Sequence, residues 1–164
     1  MTRTSAGILL YRRREGILEV LLVHPGGPFF GRKDLGNWSI PKGEVSQLDP
    51  DYQSTARREF LEEVGHPVPA GRLIDLGSIQ QKGGKIVYAW AVEGDIDTAT
   101  MSSNFIEFEW PPFSGRKKRF PEVDKWVYYG PDDARLHIKE TQSPLLDRLD
   151  AALAGADVAG GPAR

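Results

Sequence analysis

Residues 36–44, Gly-Asn-Trp-Ser-Ile-Pro-Lys-Gly-Glu, and residues 57–65, Arg-Arg-Glu-Phe-Leu-Glu-Glu-Val-Gly, set a turn rich in glycine and lysine ahead of a helix that carries three clustered carboxylates. Glu59, Glu62 and Glu63 are spaced i, i+3, i+4, which at 3.6 residues per turn puts them on neighbouring rows of one helical face. Like charges at this spacing repel by a few tenths of a kcal/mol per pair, so a cation that takes several oxygen ligands is the natural compensation. Ala56, Phe60 and Val64 recur every four residues and mark the core-facing side of the same helix. Asp49-Pro50 reads as its N-cap followed by proline at the first helical position, and Gly65, with Pro67 beyond it, as its C-cap.

Outward from this segment the chain reads as short strands. Ser5–Tyr11 and Leu18–His24 are β-rich runs joined by the polar connection Arg12–Gly16, a hairpin. The prolines and glycines of 24–28 make the next stretch irregular. A loop with Phe29, Phe30, Arg32 and Lys33 follows, then a brief strand at Trp38–Pro41. Arg72–Gln81 and Lys85–Glu93 form a second hairpin turning at Gly83-Gly84. Residues 94–123 read mostly as loop, strand-like at Phe105–Trp110, with the basic run Arg116–Arg119 as a loop. Lys125–Tyr129 is a further strand, Pro131–Ile138 and Pro144–Leu153 are helices, and residues 154–164 read as a frayed tail. Strands with helices at central and C-terminal positions predict an α/β chain, a mixed sheet between helices.

The chain has 164 residues, 40% hydrophobic and 27% charged, which predicts one domain over residues 1–153 with a flexible segment at 154–164. A formal charge of −2 provides no overall basic field, so a nucleic-acid partner is not expected. There is no cysteine, hence no disulfide or thiolate chemistry. Without a secretory h-region or a run of about 18 apolar residues, no membrane partner is expected and a cytoplasmic location is.

Gly43 followed by Arg58-Glu59-Phe60-Leu61-Glu62-Glu63-Val64-Gly65 resembles the box of the Nudix hydrolase superfamily, in which a glycine precedes Arg-Glu-apolar-x-Glu-Glu-x-Gly-apolar. The approach Trp38–Glu44 is also similar to that of many members. The box covers residues 43–66, and the resemblance implies an α/β/α sandwich with a central mixed sheet. There are two departures. Gly43 to Arg58 spans 15 positions where the pattern has 14, so Pro50 stands where a first glutamate belongs, and Asp49 or Asp51 is left to replace it. His66 occupies the final apolar position.

The resemblance implies hydrolysis of a nucleoside diphosphate linked to another group, with Mg²⁺, or Mn²⁺, as cofactor. Phosphoanhydride cleavage concentrates negative charge on oxygens, which metal ions and preorganised cations stabilise. By the resemblance Glu59 and Glu63 are the first metal ligands, Glu62 a third and the Gly43 carbonyl a further one. Glu122 is the expected general base, with Glu107 and Glu109 as competitors. Arg58 is expected to hold a box glutamate in position and Lys42 to contact phosphate. The basic loops at Arg32-Lys33 and at Arg116-Lys117 are candidates for a long polyphosphate. Dinucleoside polyphosphates and nucleoside triphosphates are the favoured substrates, with a highly phosphorylated inositol as a third class. A different class of reading is a noncatalytic nucleotide sensor on the same fold, motivated by the lengthened loop and the missing first glutamate. Trp38, Trp90, Trp110 and Trp126 read mainly as packing residues, and no histidine is assigned a catalytic role.

Overall fold

The computed structural model describes residues 3–159. Two long strands, β1 (Thr4–Arg14) and β2 (Ile17–Pro25), form an antiparallel hairpin. Its turn is only Glu15-Gly16, with φ of 53° and 78°. Positive φ at both central positions is the tight turn whose twist matches the flanking strands. Arg12 to Arg14, read from sequence as connection, are therefore strand. Arg12 bonds Glu19 and Asp95, each at 2.8 Å, and lies 3.6 Å from the centroid of the Tyr128 ring.

The sheet is completed by β3 (Lys42–Glu44), β4 (Ile74–Gln80), β5 (Ile86–Glu93) and β8 (Val123–Tyr129), in the order β4-β5-β1-β2-β8 with β3 beside β1. β1 runs parallel to β5 and antiparallel to its other neighbours, so the sheet is mixed. It is buried on both faces, and this explains the unbroken apolar run in β1. Ala6, Ile8 and Leu10 face α1 (Tyr52–Val64) together with Ala56, Phe60 and Val64. Leu9 and Tyr11 face the opposite layer, where α2 (Pro131–His137) and α3 (Ser143–Ala159) contribute Ala134, Leu145 and Leu149. The expected sandwich of helices around a mixed sheet is what the chain forms.

Segment 38–44 wedges between β1 and β2. Ile8 N–H donates to Pro41 O at 3.0 Å, while Val23 and Ser39 exchange backbone bonds at 2.8 and 3.0 Å. The wedge approaches β1 so closely that a Cβ on Gly7 would lie 2.6 Å from Pro41 O. Buried Gln142 clamps it from the other side, accepting from Ile40 N–H at 3.0 Å and donating to Ser39 Oγ at 2.9 Å. The brief strand expected at Trp38–Pro41 is thus a pair of isolated bridges, and the regular strand is the next three residues.

Three further boundaries differ from the sequence reading. Helix α1 is capped by Asp51, whose carboxylate accepts from Ser54 N–H at 2.7 Å, so Asp49 is not the N-cap and Pro50 not the first helical residue. Gly65, at φ 79°, is the left-handed C-cap as expected. The strand-like stretch at Phe105–Trp110 is β6 (Phe105–Glu109), but residues 117–121, read as loop, form β7 (Lys117–Pro121), which pairs with it, and most of the basic run lies on β7 with Lys117 opposite Glu109 and Arg119 opposite Glu107. The aromatic side of this hairpin, hidden in a sequence dominated by charge, packs on Phe29, which meets Trp110 at 5.3 Å and Phe108 at 6.0 Å between centroids. Helix α3 continues to Ala159, past the expected end at Leu153, and residues 160–164 lie outside the described range. Among the described residues no helix is long and apolar enough to cross a membrane.

Candidate active site

The buried side of α1 carries two rows side by side, apolar Ala56, Phe60 and Val64 and polar Thr55, Glu59 and Glu63. The second row faces β3. Glu59 is 8% exposed and Glu63 5%. A Cβ on Gly43 would collide with the Glu59 carboxylate, so that carboxylate rests against bare backbone. The Lys42 N–H is directed at the Glu63 carboxylate. Trp126 Nε1 donates to Glu63 O at 2.7 Å and pins the end of the helix to β8.

Of the three clustered glutamates, only two go inward. Glu62 lies at the rim, 37% exposed by its side chain, with Arg58 one turn before it. Arg58 Nη1 donates to Glu59 Oε1 at 2.9 Å and to Glu62 Oε1 at 3.4 Å. Its other edge grips Asp49 through Nε at 3.2 Å and Nη2 at 2.9 Å. Asp49 also accepts from Ser46 N–H and Thr55 Oγ1. Of the two aspartates left to replace the missing first glutamate, Asp49 is the one that reaches Arg58, while Asp51 caps the helix. Arg58 holds the Asp49 carboxyl far below the usual carboxylate range, helped by Ser46.

Glu122 joins the site from the β7–β8 junction. Its Oε1 accepts from Asn104 Nδ2 at 2.9 Å, and its N–H donates to Asn104 O at 3.0 Å. Asn104 N–H in turn donates to Glu62 O at 2.8 Å, so one asparagine ties the helix end to Glu122. Glu63, Glu122, Lys42 and Lys139 line a common cleft of about 130 Å³. Glu107 and Glu109 lie elsewhere, exposed on β6, with Glu109 accepting from Phe113 N–H at 2.6 Å.

Electrostatics follow from this placement. Burial, then Glu122, then Glu59 push Glu63 well above the ordinary carboxylate range. Burial and Glu62 raise Glu59, against the pull of Arg58. Burial, with Lys139 and Lys85 nearby, lowers Lys42 to about 8. Lys139 is lowered by burial and then by Lys85. Acidic groups starved of solvent thus adjoin cationic groups crowded by one another. Among the described residues no three acidic or histidine side chains converge as a ready metal cluster. Arg58, bonded to both Glu59 and Glu62, supplies the positive charge there. The donor set still fits a hard dication: carboxylate oxygens under mutual repulsion beside a glycine backbone with no side chain to obstruct it.

Of the phosphate-binding cations the sequence singled out, Lys42 lies beside the carboxylates, whereas Arg32, Lys33, Arg116 and Lys117 do not line the cleft there. Arg3, Lys42, Lys82, Lys85 and Lys139 line a cleft of about 540 Å³ next to the glutamates. Arg32 and Lys33 stand exposed in the loop after β2, where Lys33 O receives a His24 ring nitrogen. Arg116 and Lys117 stand exposed on the β6–β7 hairpin. Lys82-Gly-Gly-Lys85 offered a readable signal, a glycine turn flanked by lysines, whereas Lys139 arrives through topology alone.

A model of the NUDIX domain matches residues 1–149. No curated protein sequence matches the chain. Among solved structures it is similar to the NUDIX domain of Shewanella oneidensis NrtR complexed with ADP ribose, at 15% identity and a TM-score of 0.66 over 93% of this chain and 89% of that one. It is similar to a C. elegans Ap4A hydrolase at 21% identity and a TM-score of 0.63, over 92% and 98%. A mutT/nudix family protein from Listeria innocua matches at 16% identity and a TM-score of 0.63, over 95% and 96%.

Proposed function

The chain belongs to the NUDIX domain family, and we propose that it hydrolyses a phosphoanhydride bond in a nucleoside diphosphate linked to another group, with a divalent cation, Mg²⁺ or Mn²⁺, as cofactor. One observation carries this reading: Glu59 and Glu63 are both buried, both raised in pKa by burial and by neighbouring carboxylates, and both face the backbone at Lys42-Gly43. Two repelling buried carboxylates lower stability unless a cation neutralises them. Glu59, Glu63 and the Gly43 carbonyl would hold it, with Glu62 joining as Arg58 yields. When bound, the cation polarises a phosphoryl oxygen and offsets developing charge.

The chain's own groups supply the rest. Asp49 anchors Arg58, which positions Glu59 and Glu62. Lys42, held at about 8, stays mostly protonated at neutral pH and binds a phosphate oxygen. Glu122, with Oε1 engaged by Asn104, accepts the proton of the attacking water on Oε2. The lysine-lined cleft supports a substrate rich in phosphate, a dinucleoside polyphosphate or a nucleoside triphosphate.

The test is product chromatography with nucleoside triphosphates, diadenosine polyphosphates and nucleotide sugars, with and without Mg²⁺ or Mn²⁺, comparing wild type with Glu63→Gln. Metal-dependent turnover that falls by about 100-fold or more in the variant supports the reading. Nucleotide binding without turnover under every metal condition overturns it in favour of a sensor.

A further inference from the structure

His24 is 1% exposed near the end of β2, and no step of the proposed reaction uses it. Its two ring nitrogens point at two acceptors. Nδ1 lies 2.6 Å from Asp124 Oδ1, and Nε2 lies 2.5 Å from the Lys33 carbonyl oxygen. A carbonyl never donates, and an ionised carboxylate has no proton to offer, so both contacts are hydrogen bonds only when both ring nitrogens carry N–H. A neutral imidazole has one N–H and would turn a lone pair toward one oxygen or the other. The site therefore clasps an imidazolium through two charge-assisted bonds, with the Trp38 ring against it at 5.1 Å between centroids. The other charges around it are mixed. Lys125 is its register partner on β8 and is exposed, and Lys33 holds its ammonium 5.3 Å from the centroid of Phe30. Asp34 accepts from Trp38 Nε1 at 2.8 Å and lies 3.8 Å from His137 Nε2. Among the described residues Asp124 is the one carboxylate bonded to the His24 ring.

Both bonds reach segments that shape the active site. The bond to Lys33 spans nine positions and closes the neck of the loop that carries Phe29 against Trp110. The bond to Asp124 holds the strand just after Glu122, and beside it Gly26 N–H donates to Glu122 O at 2.8 Å. A Cβ on Gly26 would collide with Pro121 O, so the two segments meet backbone to backbone. Val23, Pro25, Asn37, Ser39, Glu122 and Val123 wall the cleft that holds Glu63 and Lys42. One buried ring thus ties the end of β2 directly to the Glu122 segment and, through Lys33, to the loop that leads into Asn37.

We infer that His24 is a positioning residue whose doubly protonated ring clips the loop of residues 25–33 and the Glu122 wall of the cleft together, and that loss of one ring proton opens the clip at one of its two oxygens. The clip is closed while both nitrogens carry protons and opens as pH rises and one proton leaves. It rests on the proposed hydrolase reading only for the role of Glu122. Asp124→Asn separates charge from shape. An amide accepts from Nδ1–H or, turned over, donates to a bare Nδ1, so a neutral ring still bridges both partners.

The test follows the ring-nitrogen NMR signals of His24 and the amide exchange of Gly26 in the full chain across the histidine range of pH. Exchange is corrected for its intrinsic pH dependence, with the amide of Gly94, bonded to Tyr11 O at 2.9 Å, as reference. In wild type, Gly26 protection is expected to fall by about tenfold or more as the ring loses its second proton, the loss of one bond to a charged group. Asp124→Asn should hold Gly26 protection within about twofold over the same range. His24→Gln, whose donors sit on one nitrogen and cannot bridge both oxygens, should show the opened level at every pH. Gly26 protection that ignores the ring proton, or follows it equally in Asp124→Asn, overturns the clip. So does a ring that carries a single proton throughout the range. With diadenosine tetraphosphate as substrate, the alkaline fall in kcat should be smaller in Asp124→Asn than in wild type, and equal falls overturn the positioning of Glu122. If wild type turns over nothing, Gly26 exchange still decides the clip, and the hydrolase reading alone falls.

Discussion

Replacing Asp49 by alanine removes four hydrogen-bond contacts at once: Arg58 Nε at 3.2 Å, Arg58 Nη2 at 2.9 Å, Ser46 N–H at 2.9 Å and Thr55 Oγ1 at 2.8 Å. Hydrogen bonds to charged groups contribute about 1.5–3 kcal/mol each. The Asp49 side chain is 8% exposed, but Arg58 is 36% exposed and keeps Glu59 and Glu62 as partners, so its two contacts must be discounted for solvent screening. A net loss of about 3 kcal/mol follows, and at roughly 2–4 °C per kcal/mol for a chain of this size the metal-free Tm falls by roughly 6–12 °C. Because the folded-state pKa is depressed, this stabilisation is present above the unfolded value near pH 4 and is lost as pH falls through the folded value, so the gap between wild type and variant closes in strong acid. Thermal unfolding by circular dichroism at neutral pH, with a cycle through Arg58→Ala, is the assay. The expected coupling is about 1–2 kcal/mol. Asp51→Ala, which removes only the helix cap, should cost visibly less. If it costs as much, or if the cycle shows no coupling, Asp49 is not the partner that holds Arg58.

Glu63→Gln should inactivate the protein while stabilising its metal-free form. Glu63 and Glu59 have raised folded-state pKa values, so their contribution is complete below the unfolded value near pH 4.3 and is lost as pH rises through the folded ones. The Tm of metal-free wild type should therefore decline as pH rises above the unfolded carboxylate value, the variant should decline less, and a steeper fall in the variant would refute the assignment. Near pH 8 Lys42, depressed to about 8, begins to act with opposite sign. Gly43→Ala forces a methyl into the Glu59 carboxylate and should lower activity by about 100-fold or more with raised metal demand, read as kcat against Mg²⁺ concentration; wild-type metal dependence would show that the close approach is dispensable. Asn104→Ala frees the Glu122 carboxylate and should cost about tenfold in kcat, whereas a change in KM alone would point to a purely structural asparagine.

Much of the fold was readable because its signals are local. The apolar runs of β1 and β2, the four-residue spacing in α1 and the glycine at its C-cap each depend on a few neighbouring residues. Carboxylate clustering was legible for the same reason. What escaped depends on distant packing. Asp49-Pro50 has good capping chemistry, yet Asp51 wins the cap because Asp49 is drawn nine residues away to Arg58. Lys117 to Arg119 hide a strand because β7 needs the aromatic face of β6 and Phe29 before it has anything to pack against. Lys139 follows a short helix nearly 100 positions after Lys42, and nothing in either neighbourhood announces that they share a cleft.

The parallel pairing of β1 with β5 also bears on how the chain is made. Thr4 pairs with Ile86 and Tyr11 with Glu93. At ribosomal rates of roughly 5–20 residues per second, one flank of β1 waits about 4–16 s for its partner, exposing the apolar run Ile8-Leu9-Leu10 beside unmet backbone donors. The β1–β2 hairpin can form early, but its free flank is then an adhesive edge on a nascent chain. Slowing translation between residues 14 and 86 should lengthen that exposure and lower the yield of soluble product, more so in cells short of holding chaperones.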